Sequence, residues 1–139
     1  YTLSLHDALP IFYLPVHAEG GLLYVGDCHA TQGDGELSGV ALEQRATVTL
    51  QIDLIKNWSF AWPRLETRDF IMTIGSARPL EDAARIAYRE LVRWMSADYG
   101  FDEIDAYMLL SQAGRMRLGN MVDPKYTMGA SILKNYLKA

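Results

Sequence analysis

Gly26–Glu43, GDCHATQGDGELSGVALE, carries Asp27, His29, Asp34, Glu36 and Glu43 within eighteen positions, interleaved with four glycines. Carboxylate and imidazole groups can hold a divalent cation, or they can carry protons as general acid and base. The glycines allow the sharp turns that would bring such groups onto one centre. Asp27 and His29 stand two residues apart. At the end of a strand, for which the apolar run Leu22–Val25 is a candidate, both would point to one face and could share an ion. Gln32, Asp34 and Glu36 repeat that spacing, with only Gly33 and Gly35 between them, so a small polar substrate could come close to the backbone. The same residues also suit a plain turn, because Asp-Gly and Gly-Asp pairs are ordinary turn chemistry.

The segment resembles the signature of the acetamidase/formamidase family. The resemblance lies at Gly26, Asp27, His29, Ala30, Gln32, Gly33, Asp34, Gly35, Glu36, Gly39, Ala41 and Glu43. It continues through Ala106–Gly114, AYMLLSQAG, and Met121-Val122-Asp123-Pro124, and runs from about Tyr13 to Leu137. It implies hydrolysis of short aliphatic amides, chiefly formamide and acetamide, to ammonia and a carboxylate. An amide resists hydrolysis because its carbonyl is resonance-stabilised and its leaving group is poor. A hydrolase must polarise the oxygen, activate water and protonate the nitrogen. A divalent metal can do the first two. The expected ligands are Asp27 and His29, with zinc as the expected ion. Asp34 or Glu36 is expected to move protons, and Gln32 to orient the substrate amide. Glu43 is expected as a solvated carboxylate at a strand edge, with support of the cluster as its other role.

Two other functions are open to these residues. Cys28 could be a thiol nucleophile with His29 or Glu36 as its base. Against that, it occupies a position the signature leaves free, and strand neighbours such as Cys28 and His29 face opposite ways. Trp58, Phe60 and Trp62 alternate in NWSFAWPRLET and could instead form the contact surface of a non-catalytic β-rich module. Such rings more often fill a core or a subunit interface.

The elements that must hold the segment follow from pattern. The 139 residues, half of them hydrophobic and 22% charged, suit one globular domain with a real core. A net charge of −4 without a basic cluster argues against a nucleic-acid partner. No apolar run approaches the ~20 residues of a membrane helix. A single cysteine, Cys28, excludes an internal disulfide and fits a reducing cytoplasm. Tyr1–Ile11 resembles a translated sequencing-adapter read-through, so residues 1–11 are expected to be a poorly packed tail, and His6 and Asp7 receive no role. A signal peptide fits less well, since no basic start or small-residue cleavage site precedes Pro10. Residues 12–139 are expected to form the C-terminal part of a longer family chain. His17 reads as a solvated loop residue.

Extended pieces are expected at Phe12–Val16, Leu22–Val25, Ala46–Leu54, Asp69–Ile74, Arg115–Val122 and Thr127–Leu133. Ala46–Leu54 has the cleanest apolar–polar alternation. Phe70, Met72 and Ile74 share one face of the next strand. Apolar residues at helical spacing predict helices over about 80–99 and 102–113. Pro79 and Gly100 bracket the first, and Asp102 caps the second. Glu81, Asp82, Arg85, Arg89 and Glu90 are expected on a solvated face. Strands, then two helices, then strands predict an α+β fold with mostly antiparallel sheets. Unpaired edges and exposed apolar surface favour a homo-oligomer.

Overall fold

The computed structural model describes residues 10–137. Its fold is α+β. Strands β1 (Ile11–Tyr13), β2 (Arg64–Glu66) and β3 (Phe70–Ala77) come first, then helices α1 (Leu80–Tyr99) and α2 (Glu103–Ala113). Strands β4 (Arg115–Asn120) and β5 (Tyr126–Leu133) follow, and a short 3-10 turn, Lys134–Tyr136, comes after them. The five strands form one sheet in the order β1-β2-β3-β5-β4, and every pairing is antiparallel. Ile11 pairs with Glu66 as the first residue of β1. The rest of the expected tail, residues 1–9 with His6 and Asp7, lies outside the described residues.

Helix α1 lies on one face of β3 and β5. Side chains alternate along β3, and the face turned to the helix carries Ile71, Thr73 and Gly75, all buried. Phe70, Met72 and Ile74 do share a face, but it is the half-buried one. Gly75 lets the two backbones meet: a Cβ there would stand 2.3 Å from the Ala83 carbonyl oxygen and 2.7 Å from the Ala87 nitrogen. Thr73 Oγ1 donates to the Ala87 carbonyl over 2.6 Å, so its buried hydroxyl is satisfied. Ile71, Ala130 and Ile132 from the sheet meet Ala87, Leu91, Trp94 and Met95 from α1, and Ala106 and Leu110 from α2 complete the core.

The helix ends follow their local chemistry. Gly100 takes the left-handed conformation that stops α1, at φ 72°. The Asp102 side chain accepts from the Ile104 N–H over 2.8 Å and caps α2. Glu90 corrects the expectation of a solvated face: it is buried, with Arg93 reaching it over 2.7 Å. One face of α2, with Ile104, Tyr107 and Met108, is exposed.

Trp58 and Phe60, two rings of the aromatic run, pack against other rings and are half-buried. Trp58 meets Tyr13 edge-on at 4.9 Å between ring centroids and lies 4.8 Å from Phe60. The buried Arg64 guanidinium sits 4.6–5.0 Å from the rings of Trp58, Phe60 and Trp94. Cation–π attraction partly replaces the water that this group has lost. The rings therefore form a packed cluster rather than a flat, open platform.

Two expected strands do not form among the described residues. Leu22–Val25 and Ala46–Leu54 have no ladder partner. Alternation specifies one apolar side, but a strand also needs a neighbour for its N–H and C=O groups. Nothing covers that side here, and Val48, Leu50, Ile52 and Leu54 are 47–70% exposed.

Candidate active site

The chemistry-bearing segment is a loop laid against the outer edge of β4, and turns rather than a strand bring its side chains together. Asp27 and Glu36 both take the left-handed region, at φ 57° and 46°. Such backbone is uncommon for residues other than glycine and concentrates at functional sites. One isolated antiparallel bridge, His29 with Glu43, folds the segment back on itself. The Ala30 N–H donates to the Leu42 carbonyl and the Gln44 N–H to the Cys28 carbonyl, over 2.8 and 3.0 Å.

A second set of bonds ties the loop to the sheet. The Gly35 N–H donates to the Leu118 carbonyl over 3.1 Å, and the Met121 N–H donates to the Gly35 carbonyl over 2.9 Å. Gly35 is required twice. Its φ is +83°, and a Cβ would stand 2.8 Å from Leu118 Cδ2. Arg117 Nη2 donates to Asp34 Oδ1 over 2.8 Å. Gln32 Nε2 donates to the Gly119 carbonyl over 2.8 Å.

This folding gathers four of the ionisable groups. His29 Nε2 lies 3.1 Å from Asp27 Oδ1, 3.2 Å from Glu43 Oε1 and 3.9 Å from Glu36 Oε1. Its Nδ1 lies 2.9 Å from Gln32 Oε1. The side chains of His29 and Glu36 are each only 13% exposed, while Asp27 stands in solvent. Gln32, Asp34 and Glu36 line an open cavity of about 280 Å³, with Leu37 and Val40 as its apolar wall. Asp34 shares that cavity but turns its carboxylate to Arg117 rather than to His29. Both polar ends of the Gln32 amide are engaged within the protein. Cys28 is half-buried, and its Sγ has no hydrogen bond among the described residues.

The charges around His29 act on its proton. The Gln32 hydrogen bond raises it above the ordinary histidine value, Asp27 and Glu43 add to this, and partial desolvation opposes them. A raised folded value means that the imidazolium stabilises the metal-free loop below the unfolded histidine value. That contribution is lost as pH rises through the higher folded one.

The donor set fits a divalent cation. Asp27, His29 and Glu43 each offer one ligand atom, and these atoms all lie within 4.8 Å of one another. Two donors at the usual zinc distances from a tetrahedral ion stand ~3.3 Å apart, close to the 3.1 and 3.2 Å measured from His29 Nε2 to Asp27 and Glu43. From sequence alone Glu43 is expected as a solvated strand-edge carboxylate. Its place in the signature is the signal, but it lies fourteen positions from His29, and the bridge and the side-chain contact show that they meet.

Residues 9–132 match the family model described as the Acetamidase/Formamidase family. The chain is similar to the crystal structure of an acetamidase from Yersinia enterocolitica, with 61% identity and a TM-score of 0.91 over 94% of this chain and 39% of that one. An acetamidase from Bacillus halodurans gives 34% identity and a TM-score of 0.72, over 78% of this chain and 37% of the other. A predicted acetamidase/formamidase from Thermoanaerobacter tengcongensis gives 29% and 0.76, over 91% and 42%. The chain thus spans about two fifths of the length of these solved relatives.

Proposed function

We propose a function for this chain, which belongs to the acetamidase/formamidase family: it carries the acid–imidazole centre of an amidohydrolase that cleaves the C–N bond of short aliphatic amides. Formamide and acetamide are the substrates, and ammonia and the carboxylate are the products. The names of the solved relatives support the reaction class. The observation that carries the residue assignment is the convergence of Asp27, Glu36 and Glu43 on His29 Nε2.

In this reading Asp27, His29 and Glu43 hold a divalent cation, with zinc as the ion. The cation, when bound, polarises the amide carbonyl and acidifies water. Glu36 is the proton carrier. It lines the cavity, is mostly screened from solvent, and lies beside His29. A carboxyl there can take a proton from the attacking water and return it to the leaving nitrogen. Asp34, held by Arg117, forms the polar wall against which the amide nitrogen would sit. Leu37 and Val40 would receive the short alkyl group, and the cavity's modest volume suits a substrate of a few heavy atoms.

Assembly and setting belong to the same proposal. The exposed Ile104, Tyr107 and Met108 face of α2 supports a homo-oligomer. The single free thiol, Cys28, supports a cytoplasmic setting. No helix among the described residues is long and apolar enough to cross a membrane.

The test is ammonia release from formamide and acetamide, measured on this chain and on a version extended to the length of its solved relatives. Glu36→Gln is expected to lower kcat by roughly a hundredfold or more, the usual worth of a general acid–base group. Wild-type turnover in Glu36→Gln would remove Glu36 from the reaction. Wild-type turnover in both Asp27→Ala and His29→Ala would remove the cation.

A further inference from the structure

The geometry around Gln32 carries an inference about how His29 is presented. The Gly119 carbonyl oxygen has no hydrogen, so the end of the Gln32 amide 2.8 Å from it must be the NH2 group. The other end, Oε1, then faces His29 Nδ1 at 2.9 Å. That oxygen has no hydrogen either, so Nδ1 must carry one. The tautomer is fixed by an acceptor-only carbonyl 87 positions from Gln32 in sequence, not by the histidine's own preference.

The Gly119 carbonyl is available for a structural reason. Leu118 pairs with Met128 and Asn120 with Thr127, so Gly119 has no partner in the β4–β5 ladder. A bulge of this kind bends the strand and frees a backbone group. Strand β4 also lies at the sheet's edge, and its outer side receives the loop.

The other ring nitrogen meets only acceptors. Asp27, Glu43 and Glu36 oxygens surround Nε2 at 3.1, 3.2 and 3.9 Å. A bare lone pair is disfavoured among these oxygens, so the site favours a proton or a cation at Nε2.

We propose that Gln32, clamped by the Gly119 carbonyl in the β4 bulge, is a positioning residue that holds the Nδ1 proton of His29 and commits Nε2 to the acid cluster. A cation bound at Nε2 would take the place of a proton there and leave the Nδ1 proton in place. This differs from a role for Gln32 in orienting substrate. Its consequence for catalysis rests on the cation reading above, but the hydrogen bond itself does not. Partners that fix a ligating histidine's far nitrogen are typically worth roughly 10–100-fold in metal affinity.

The experiment is solvent exchange of the ring N–H protons, read by 15N–1H correlation spectra of the uniformly labelled, metal-free chain. The exposed His17 is the internal reference. The His29 Nδ1 proton is expected to exchange roughly tenfold more slowly than that of His17, the worth of one hydrogen bond. Gln32→Leu is expected to remove that protection. Exchange as fast as His17 in the wild-type chain, or protection surviving in Gln32→Leu, would overturn the proposal. Added zinc is a separate arm. The Nε2 resonance is expected to move while the Nδ1 proton persists, and ligation through Nδ1 would overturn the proposal. A failure of zinc to bind, with Nδ1 still protected, would remove the cation reading and uphold the Gln32 bond. Gln32→Leu is also expected to bind zinc roughly 10–100-fold more weakly.

Discussion

Gly35→Ala probes the clamp that holds the candidate site against the sheet. The new Cβ meets two penalties. At φ +83° a non-glycine residue costs about 1 kcal/mol. The Cβ would also lie 2.8 Å from Leu118 Cδ2, the tip of a flexible side chain. Turning Leu118 aside forces it off its rotamer at about 1 kcal/mol. Together these come to about 2 kcal/mol, or roughly 30-fold in the equilibrium between the docked and open loop. The loop touches the sheet through few bonds, so the loss should appear as local opening rather than unfolding. The assay is amide hydrogen exchange at Gly35 and Met121, whose N–H groups make the two clamp bonds. Both should exchange roughly 30-fold faster in Gly35→Ala, while core amides in β3 and β5 keep their protection. Gly33→Ala is the control, since a Cβ at Gly33 meets nothing within 4 Å. Equal exchange in Gly35→Ala and Gly33→Ala would show that Gly35 does not clamp the loop.

Three further outcomes follow. Gly75→Ala should destabilise the whole chain by about 3 kcal/mol, because the methyl meets helix backbone that cannot step aside; an unchanged urea midpoint would contradict the β3–α1 packing. Burial, then the Glu66 carboxylate, push Tyr13 well above the usual phenol range, and burial takes Tyr99 from 10.0 to about 12. With folded values raised, their contribution is intact below pH 10 and is lost as pH climbs toward about 12, so stability should fall across that window; flat stability there, by urea unfolding, would count against the burial of both rings. Cys28→Ser should leave ammonia release unchanged, because the thiol has no hydrogen bond to a base among the described residues; a collapse of turnover would revive the thiol nucleophile.

Where local chemistry decides, the sequence was enough. Helix α1 runs over Leu80–Tyr99 because Pro79 opens it, Gly100 closes it and the apolar stripe between them keeps helical period. Asp102 announced itself as a cap in the same way. Strand β5 matched its expected span apart from one residue. Ala46–Leu54 shows the limit, since alternation describes one chain and a ladder needs two. Glu90 shows another: a charge on a helix reads as solvated until the packed fold buries it and Arg93 pairs with it.

The candidate site divides along the same line. The density of acids and imidazole in Gly26–Glu43 was visible, and Asp27, His29 and Glu36 do meet. The strand geometry expected to unite Asp27 and His29 is absent, and a left-handed turn at Asp27 performs that task. The contributions of Glu43, Arg117 and the Gly119 carbonyl depend on contacts across the loop or across the sheet, which no local pattern encodes.

The most direct test of the central claim is calorimetric zinc binding to the purified chain, followed by the same titration on Asp27→Ala, His29→Ala and Glu43→Ala. The account predicts one zinc per chain in the wild type and loss of that site in each substitution. A wild-type chain that binds no zinc, or substituted chains that bind it unchanged, would contradict it.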